Sequence, residues 1–165
     1  MSWSFSPIGD NIEKIKTWNP SKSANESNFD YIDLSSIDKD KKKLNLKNIP
    51  NLSTTNAPSR ARQLVNENDV LVSTVRPNLN GVAIIPSLLS NATASTGYCV
   101  LRANSTTLDA KYLFYWVQTK LFISDMISKA TGANYPAVSD RIICGSKIPL
   151  PPLPEQKRIA AILDK

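Results

Sequence analysis

The sequence predicts an α+β fold: a compact antiparallel or mixed sheet with a helical layer. Three observations carry this. Residues 70–75 (VLVSTV), 82–85 (VAII) and 98–101 (YCVL) are short apolar runs separated by turn-forming or small polar segments. Their succession suits an antiparallel or mixed sheet rather than βαβ units. Leu113, Trp116, Val117, Leu121, Phe122, Met126 and Ile127 lie at spacings of three and four, the period of a helix that buries one face. A proline run then leads into a last patterned segment, KIPLPPLPEQKRIAAILDK, over residues 147–165. At 165 residues and 41% hydrophobic content, the chain is long enough for one domain with a real core.

In chain order, Ile8, Ile12 and Ile15 sit at helical spacing, so a short helix is expected over 8–16, ended by Trp18, Asn19 and Pro20. Residues 29–34 alternate roughly and read as a strand. Residues 38–43 are a charged connection. Residues 51–62 are rich in Asn, Ser, Thr and Pro without an apolar period and read as an exposed loop. The strands at 70–75 and 82–85 flank a turn at 76–81, and a small, polar stretch at 90–97 precedes the strand at 98–101. Asp109 is placed to cap the helical region, which has a candidate break near Thr119 and a candidate stop at Gly132. Residues 142–143 read as a final strand. Prolines keep residues 149–152 extended, and Pro154 suits the first turn of a helix because its missing N–H has no partner there anyway. Glu155 and Gln156 fill that first turn, and Ile159, Ile162 and Leu163 form an apolar stripe. A stripe this short cannot bury itself, which implies a longer chain or a docking partner. The expected division is a folded domain over 1–150 and a ramp with its helix over 151–165.

Composition excludes much chemistry. The chain has no histidine, which removes Ser-His-Asp and Cys-His nucleophile systems and the HExxH metalloproteases. Cys99 and Cys144 are far apart and cannot make a structural zinc site alone. No phosphate-cradling glycine loop is present. The Asn-Pro-Pro-aromatic pattern of amino-methyltransferases is absent, since Ser21 and Lys22 follow Asn19 and Pro20. Asp33 and Asp40 with Lys41 and Lys42 superficially resemble a metal-dependent nuclease set, but the charge run at 38–43 reads better as a solvated connection. The expectation is a non-enzyme without cofactors. No leader-like segment and no apolar run of membrane length is present, so a cytoplasmic protein without a membrane partner is expected.

The basic surplus, 20 Lys and Arg against 14 Asp and Glu, favours a polyanion partner. Arg60 and Arg62 can point to one side of an extended segment, where their forks match phosphate or guanine edges. Alternatively, they bond nearby carboxylates such as Glu67 or Asp69. Arg76 either faces DNA or braces the turn before Pro77. Lys129, Asn134 and Tyr135 flank Gly132 on a loop where an amide can meet an adenine edge and a phenol can stack; a packed turn at Tyr135 is the other reading. Arg141 follows on the same segment with a weaker claim. Lys41, Lys42 and Lys43 are either a solvated face or phosphate contacts. Convergence of Arg60, Arg62 and Lys129 on one concave face is expected of a DNA-binding domain. Scatter is expected of the alternative, a protein-interaction module that presents the proline ramp and helix.

Four landmarks carry a family resemblance: DVLVSTVRP at 69–77, TGYCVLR at 96–102, ATGANYPAV at 130–138, and the proline-to-helix run. In this order and spacing the chain resembles one half of a type I restriction-modification specificity subunit, in half-subunit or truncated form. The resemblance implies a twisted, partly barrel-like target-recognition domain followed by the start of a long spacer helix. It implies double-stranded DNA as ligand, with one half of a split site read per domain. It also implies methyltransferase (modification) subunits, a restriction subunit and a second half-subunit as partners, the last through the helix carrying Ile159, Ile162 and Leu163.

Overall fold

Side chains alternate sharply along the central strands. Val70, Val72, Cys99 and Leu101 enter one core, while Leu71, Tyr98 and Val100 enter another. A strand buried on both faces has no polar side to show, which is why these segments are nearly continuous apolar runs.

The computed structural model describes residues 3–165. Its strands are β1 (Phe5–Pro7), β2 (Ile12–Glu13), β3 (Asn28–Ile32), β4 (Ile37–Asp38), β5 (Lys43–Leu44) and β6 (Asn51–Ser53). Then follow β7 (Ala61–Leu64), β8 (Val70–Ser73), β9 (Val82–Ile84), β10 (Thr93–Ser95), β11 (Tyr98–Ala103) and β12 (Lys147–Pro149). The helices are α1 (Ala110–Trp116), α2 (Lys120–Lys129), α3 (Asp140–Gly145) and α4 (Leu153–Leu163). The α+β class is therefore the one that forms.

One four-stranded sheet has the order β2-β11-β8-β9 and is antiparallel, with Cys99 opposite Val72 and Leu71 opposite Ala83. A second has the order β6-β3-β10-β7, in which β10 runs parallel to β3 and the other pairs are antiparallel. The two share a core of Leu71, Ala83, Tyr98 and Val100 with Ile32 and Ala94. The helices cover the other face of the first sheet, where Leu113, Val117, Phe122 and Met126 meet Val70, Val72 and Val82. β1 pairs with β12, β4 pairs with β5, and none of the sheets closes. Among the described residues no helix is long and apolar enough to cross a membrane.

Several elements differ from the expectation. The helix expected over 8–16 is only a 3₁₀ turn, Ile8–Asn11, followed by β2. Tertiary pairing overrides the isoleucine spacing: the Ile8 N–H donates to the Ser146 carbonyl at 2.8 Å, and Ile12 is opposite Ala103 on β11. The loop expected over 51–62 contains β6, an edge strand, and the first residues of β7 lie at its end. The small, polar stretch at 90–97 hides β10, whose three residues are all buried. Residues 142–143 are helical, inside α3, because the Ser139 hydroxyl caps the Ile142 N–H at 3.2 Å. Thr119 does separate two helices, capping the Phe122 N–H. Gly132 is not the stop, since α2 ends at Lys129 with Ala130 as its cap. The ramp begins as β12, and α4 starts at Leu153, one residue before Pro154.

The docking of α4 rests on a polar lock. Gln156 is fully buried. Its Oε1 accepts from the Asp109 N–H at 2.8 Å, and its Nε2 donates to the carbonyls of Thr107 at 3.0 Å and Pro151 at 2.9 Å. Ala160 is buried and Ile159 packs against the helix-covered core, whereas Ile162 and Leu163 are exposed. The expected stripe is thus split: Ile159 serves the domain itself, and two residues stay available to something else.

Candidate nucleic-acid interface

The ends of several strands are tied together along one edge. The Thr96 N–H donates to the Arg60 carbonyl at 2.9 Å, joining the start of β7 to the β10–β11 turn. The Thr74 N–H donates to the Gly97 carbonyl at 3.0 Å, joining that turn to the end of β8. The Val138 N–H donates to the Thr74 carbonyl at 2.8 Å, and the Arg76 N–H to the Pro136 carbonyl at 2.6 Å. Residues 60, 74–76, 96–97 and 134–138 are therefore one continuous surface, although up to 78 residues of sequence separate them.

Close approaches shape it. A Cβ on Gly97 would lie 2.9–3.0 Å from three side-chain carbons of Leu34, so glycine lets the 3₁₀ turn Leu34–Ser36 lie over the strand end. The Tyr98 hydroxyl donates to the Asp33 carbonyl at 2.7 Å beneath it. Arg76 adopts φ 47°, ψ 61°, a left-handed conformation costly for a residue with a Cβ and further disfavoured before proline. Its guanidinium carbon sits 4.7 Å from the centre of the Tyr135 ring, a cation–π contact. Gly132 has φ 99°, and a Cβ there would lie 2.9 Å from the Tyr135 carbonyl oxygen, so the loop presenting Tyr135 needs glycine. Under this pair is a cavity of about 290 Å³ with an apolar lining that includes Leu34, Ile37, Val75 and Leu79. Lys39 is on its wall with Arg76 and Tyr135.

The electrostatics of the edge follow from its partners. Arg60 is exposed, and its charge opposes the upward shift of the Tyr31 hydroxyl, which burial mainly drives and the Asp33 carboxylate reinforces. Asp69 does not neutralise Arg60 or Arg62. It is buried, takes two bonds of 2.9 Å from Arg102, and accepts the Asn66 N–H at 2.8 Å.

The other expected residues divide. Arg62 turns back, donating from Nε to the Ser59 carbonyl at 3.0 Å. Lys129 is held by Asp125 at 3.0 Å where α2 enters the 131–138 loop. Asn134 is exposed on that loop beside Tyr135, and Arg141 is exposed in the first turn of α3. Lys41, Lys42 and Lys43 lie elsewhere, on a groove of about 670 Å³ that also includes Lys111, Phe114, Tyr115 and Asp164. Lys42 Nζ donates to the Asn80 carbonyl at 2.7 Å, and burial lowers its pKa, with Asp40 opposing. Arg76, Tyr135 and Lys39 thus line one cavity, and Arg60 is exposed on a strand end tied to the same edge through its carbonyl, while Arg62 and Lys129 are engaged by Ser59 and Asp125. The sequence alone does not single out Lys39, because a run of charges does not reveal which members face which side of a hairpin.

The nuclease-like set does not assemble. Asp33 caps its own 3₁₀ turn through the Leu34 N–H at 2.8 Å, whereas Asp40 lies on the other groove. Among the described residues no group of three His, Cys, Asp or Glu side chains could hold a metal.

The family model of the type I restriction modification DNA specificity domain matches residues 2–165. The chain belongs to that family. Its specificity subunits are non-catalytic DNA-recognition proteins. The type I restriction enzyme MjaVIII specificity subunit of Methanocaldococcus jannaschii is 37% identical over 100 residues, covering 61% of this chain and 22% of that relative. The crystal structure of the HsdS subunit from Thermoanaerobacter tengcongensis superposes with a TM-score of 0.89 at 34% identity, over 99% of this chain and 41% of that one. A chain from a structure on complex assembly and conformational transition of the type I R-M system gives 0.90 at 32% identity, again over 99% and 41%. This specificity domain thus spans less than half the length of the relatives it matches. All four landmark segments fall inside the matched range, and three of them, 69–77, 96–102 and 130–138, contribute directly to the hydrogen-bonded edge.

Proposed function

We propose that this domain binds duplex DNA sequence-specifically and reads one half of a bipartite site through the edge that carries Arg60, Arg76, Tyr135 and Lys39. The observation that supports this is the meeting of Arg76, Tyr135 and Lys39 at one cavity, with Arg60 exposed nearby in the chain of strand ends tied together by backbone hydrogen bonds. Rigid placement lets a few side chains read base edges, while flanking lysines meet phosphates and add salt-dependent affinity. Asn134 extends the base-reading set, Arg62, Lys129 and Arg141 border it, and Lys41, Lys42 and Lys43 act as peripheral phosphate contacts. The domain itself neither cuts nor methylates. It works in the cytoplasm and directs modification and restriction subunits to the site. The exposed Ile162 and Leu163 on α4 meet a second half-subunit or those partners.

Selection of bound sequences from random duplex DNA tests this reading. A single short consensus is expected, with affinity falling steeply as salt rises. Recovery of unselected sequence, or retention of every sequence alike, would remove it.

A further inference from the structure

We propose that Arg76 is the guanine-reading residue of this domain, held in position for a single guanine by the face of Tyr135. The inference rests on the DNA-binding reading above and goes further by assigning one base to one side chain.

The geometry favours a base over a phosphate. The Arg76 guanidinium carbon lies over the Tyr135 ring, 4.7 Å from its centre, a cation–π contact that restricts the guanidinium without using up its N–H donors. No side-chain hydrogen bond or ion pair engages those donors among the described residues, whereas Arg62, Arg102 and Arg158 are each bonded to protein oxygens. A planar fork held against an aromatic ring suits O6 and N7 of guanine, which lie in one plane in the major groove. A phosphate contact needs no such orientation, since a flexible lysine serves as well.

The backbone fixes both members of the pair, at a cost in strain at Arg76. Arg76 is left-handed immediately before Pro77 and tied through its N–H to the Pro136 carbonyl at 2.6 Å. Tyr135 sits on the loop that requires Gly132 at φ 99°. Strain held by surrounding structure at an exposed pair is accounted for if it removes the ordering cost of a directional contact.

The test combines protein variants with base analogues. The selected duplex is prepared with 7-deazaguanine at each guanine in turn, which removes N7 alone. The wild-type domain should lose on the order of tenfold in affinity at one guanine. Arg76→Lys keeps the charge but not the fork. It should lose roughly ten- to hundredfold on the natural site and become indifferent to 7-deazaguanine at that same guanine, so the two losses do not add. Tyr135→Phe, which keeps the ring, should retain the guanine preference, and Tyr135→Leu should weaken it. Urea unfolding midpoints are recorded for each variant, so a folding defect is separated from a lost contact. Strictly additive losses, or an Arg76→Lys effect equal on all sequences, would make Arg76 a phosphate contact and overturn the assignment. A selected site without guanine would overturn it too. If the wild-type domain selects no sequence at all, the DNA-binding reading itself fails and this assignment falls with it.

Discussion

The α4 seam and the loop edge handle polar groups in opposite ways. At the seam, Gln156 satisfies the Asp109 N–H and two carbonyls out of contact with water, and Asp164 is met by both Lys111 and Tyr115. Nearby, Asp69 and Arg102 close a bidentate pair. At the loop edge, backbone groups are satisfied but the charged side chains of Arg60 and Arg76 point outward, and the backbone at Arg76 is strained. On the proposed function, the difference assigns stability to the seam and recognition to the edge. Substitutions at the seam should change unfolding far more than binding, and substitutions at the edge the reverse.

The largest stability effect is expected at Asp69. Asp69→Ala leaves Arg102 without its carboxylate and the Asn66 N–H without its acceptor, a loss of about 3 kcal/mol, moderated because the Arg102 side chain keeps 22% of its surface. Urea denaturation should show a lower midpoint with an unchanged slope. Gln156→Leu removes three hydrogen bonds while filling most of the volume and should cost about 2 kcal/mol. If it stabilises the domain instead, the seam is held by apolar packing and the comparison loses its basis.

On α4, Ile159→Asp should destabilise by about 1–2 kcal/mol, because Ile159 packs on the core, whereas Ile162→Asp should change stability by under about 0.5 kcal/mol. Equal effects from the two would mean the stripe is not split as described. The substitution that joins the two regions is Gly97→Ala. Its Cβ meets Leu34, so a cost of about 1 kcal/mol is expected, together with weaker DNA binding as the β10–β11 turn shifts. Full DNA affinity in this variant would show that Gly97 serves packing alone.

Much of the fold can be read from the sequence where burial is two-sided. The strands β8, β9 and β11 stand out because both faces are apolar, and the break at Thr119 because its hydroxyl caps a helix. β10 is invisible for a physical reason. Thr93, Ala94 and Ser95 are small because the strand lies between two others under Trp18, whose indole N–H donates to the Thr93 hydroxyl at 3.0 Å. The Ile8 spacing misleads because long-range pairing sets that segment, and α3 is too short to show a helical period. At the candidate site, Arg76 and Tyr135 could be singled out from turn chemistry, but their stacking could not. It depends on a loop folding back 59 residues later in the chain. The role of Gln156 was hidden as well, since a glutamine in a first helical turn is normally solvated.

The central claim is that the loop edge, not the lysine hairpin, grips DNA. Titration of the selected duplex into the wild-type domain, Arg60→Glu/Arg76→Glu and Lys41→Glu/Lys43→Glu tests it most directly, with unfolding midpoints measured alongside. The edge variant should lose about a hundredfold or more in affinity, on the basis of roughly 1–3 kcal/mol for each good base contact, with a midpoint close to wild type. The hairpin variant should lose less, evenly across sequences, and its salt dependence should be shallower. Unchanged affinity in the folded edge variant, or a greater loss in the hairpin variant, would contradict the account.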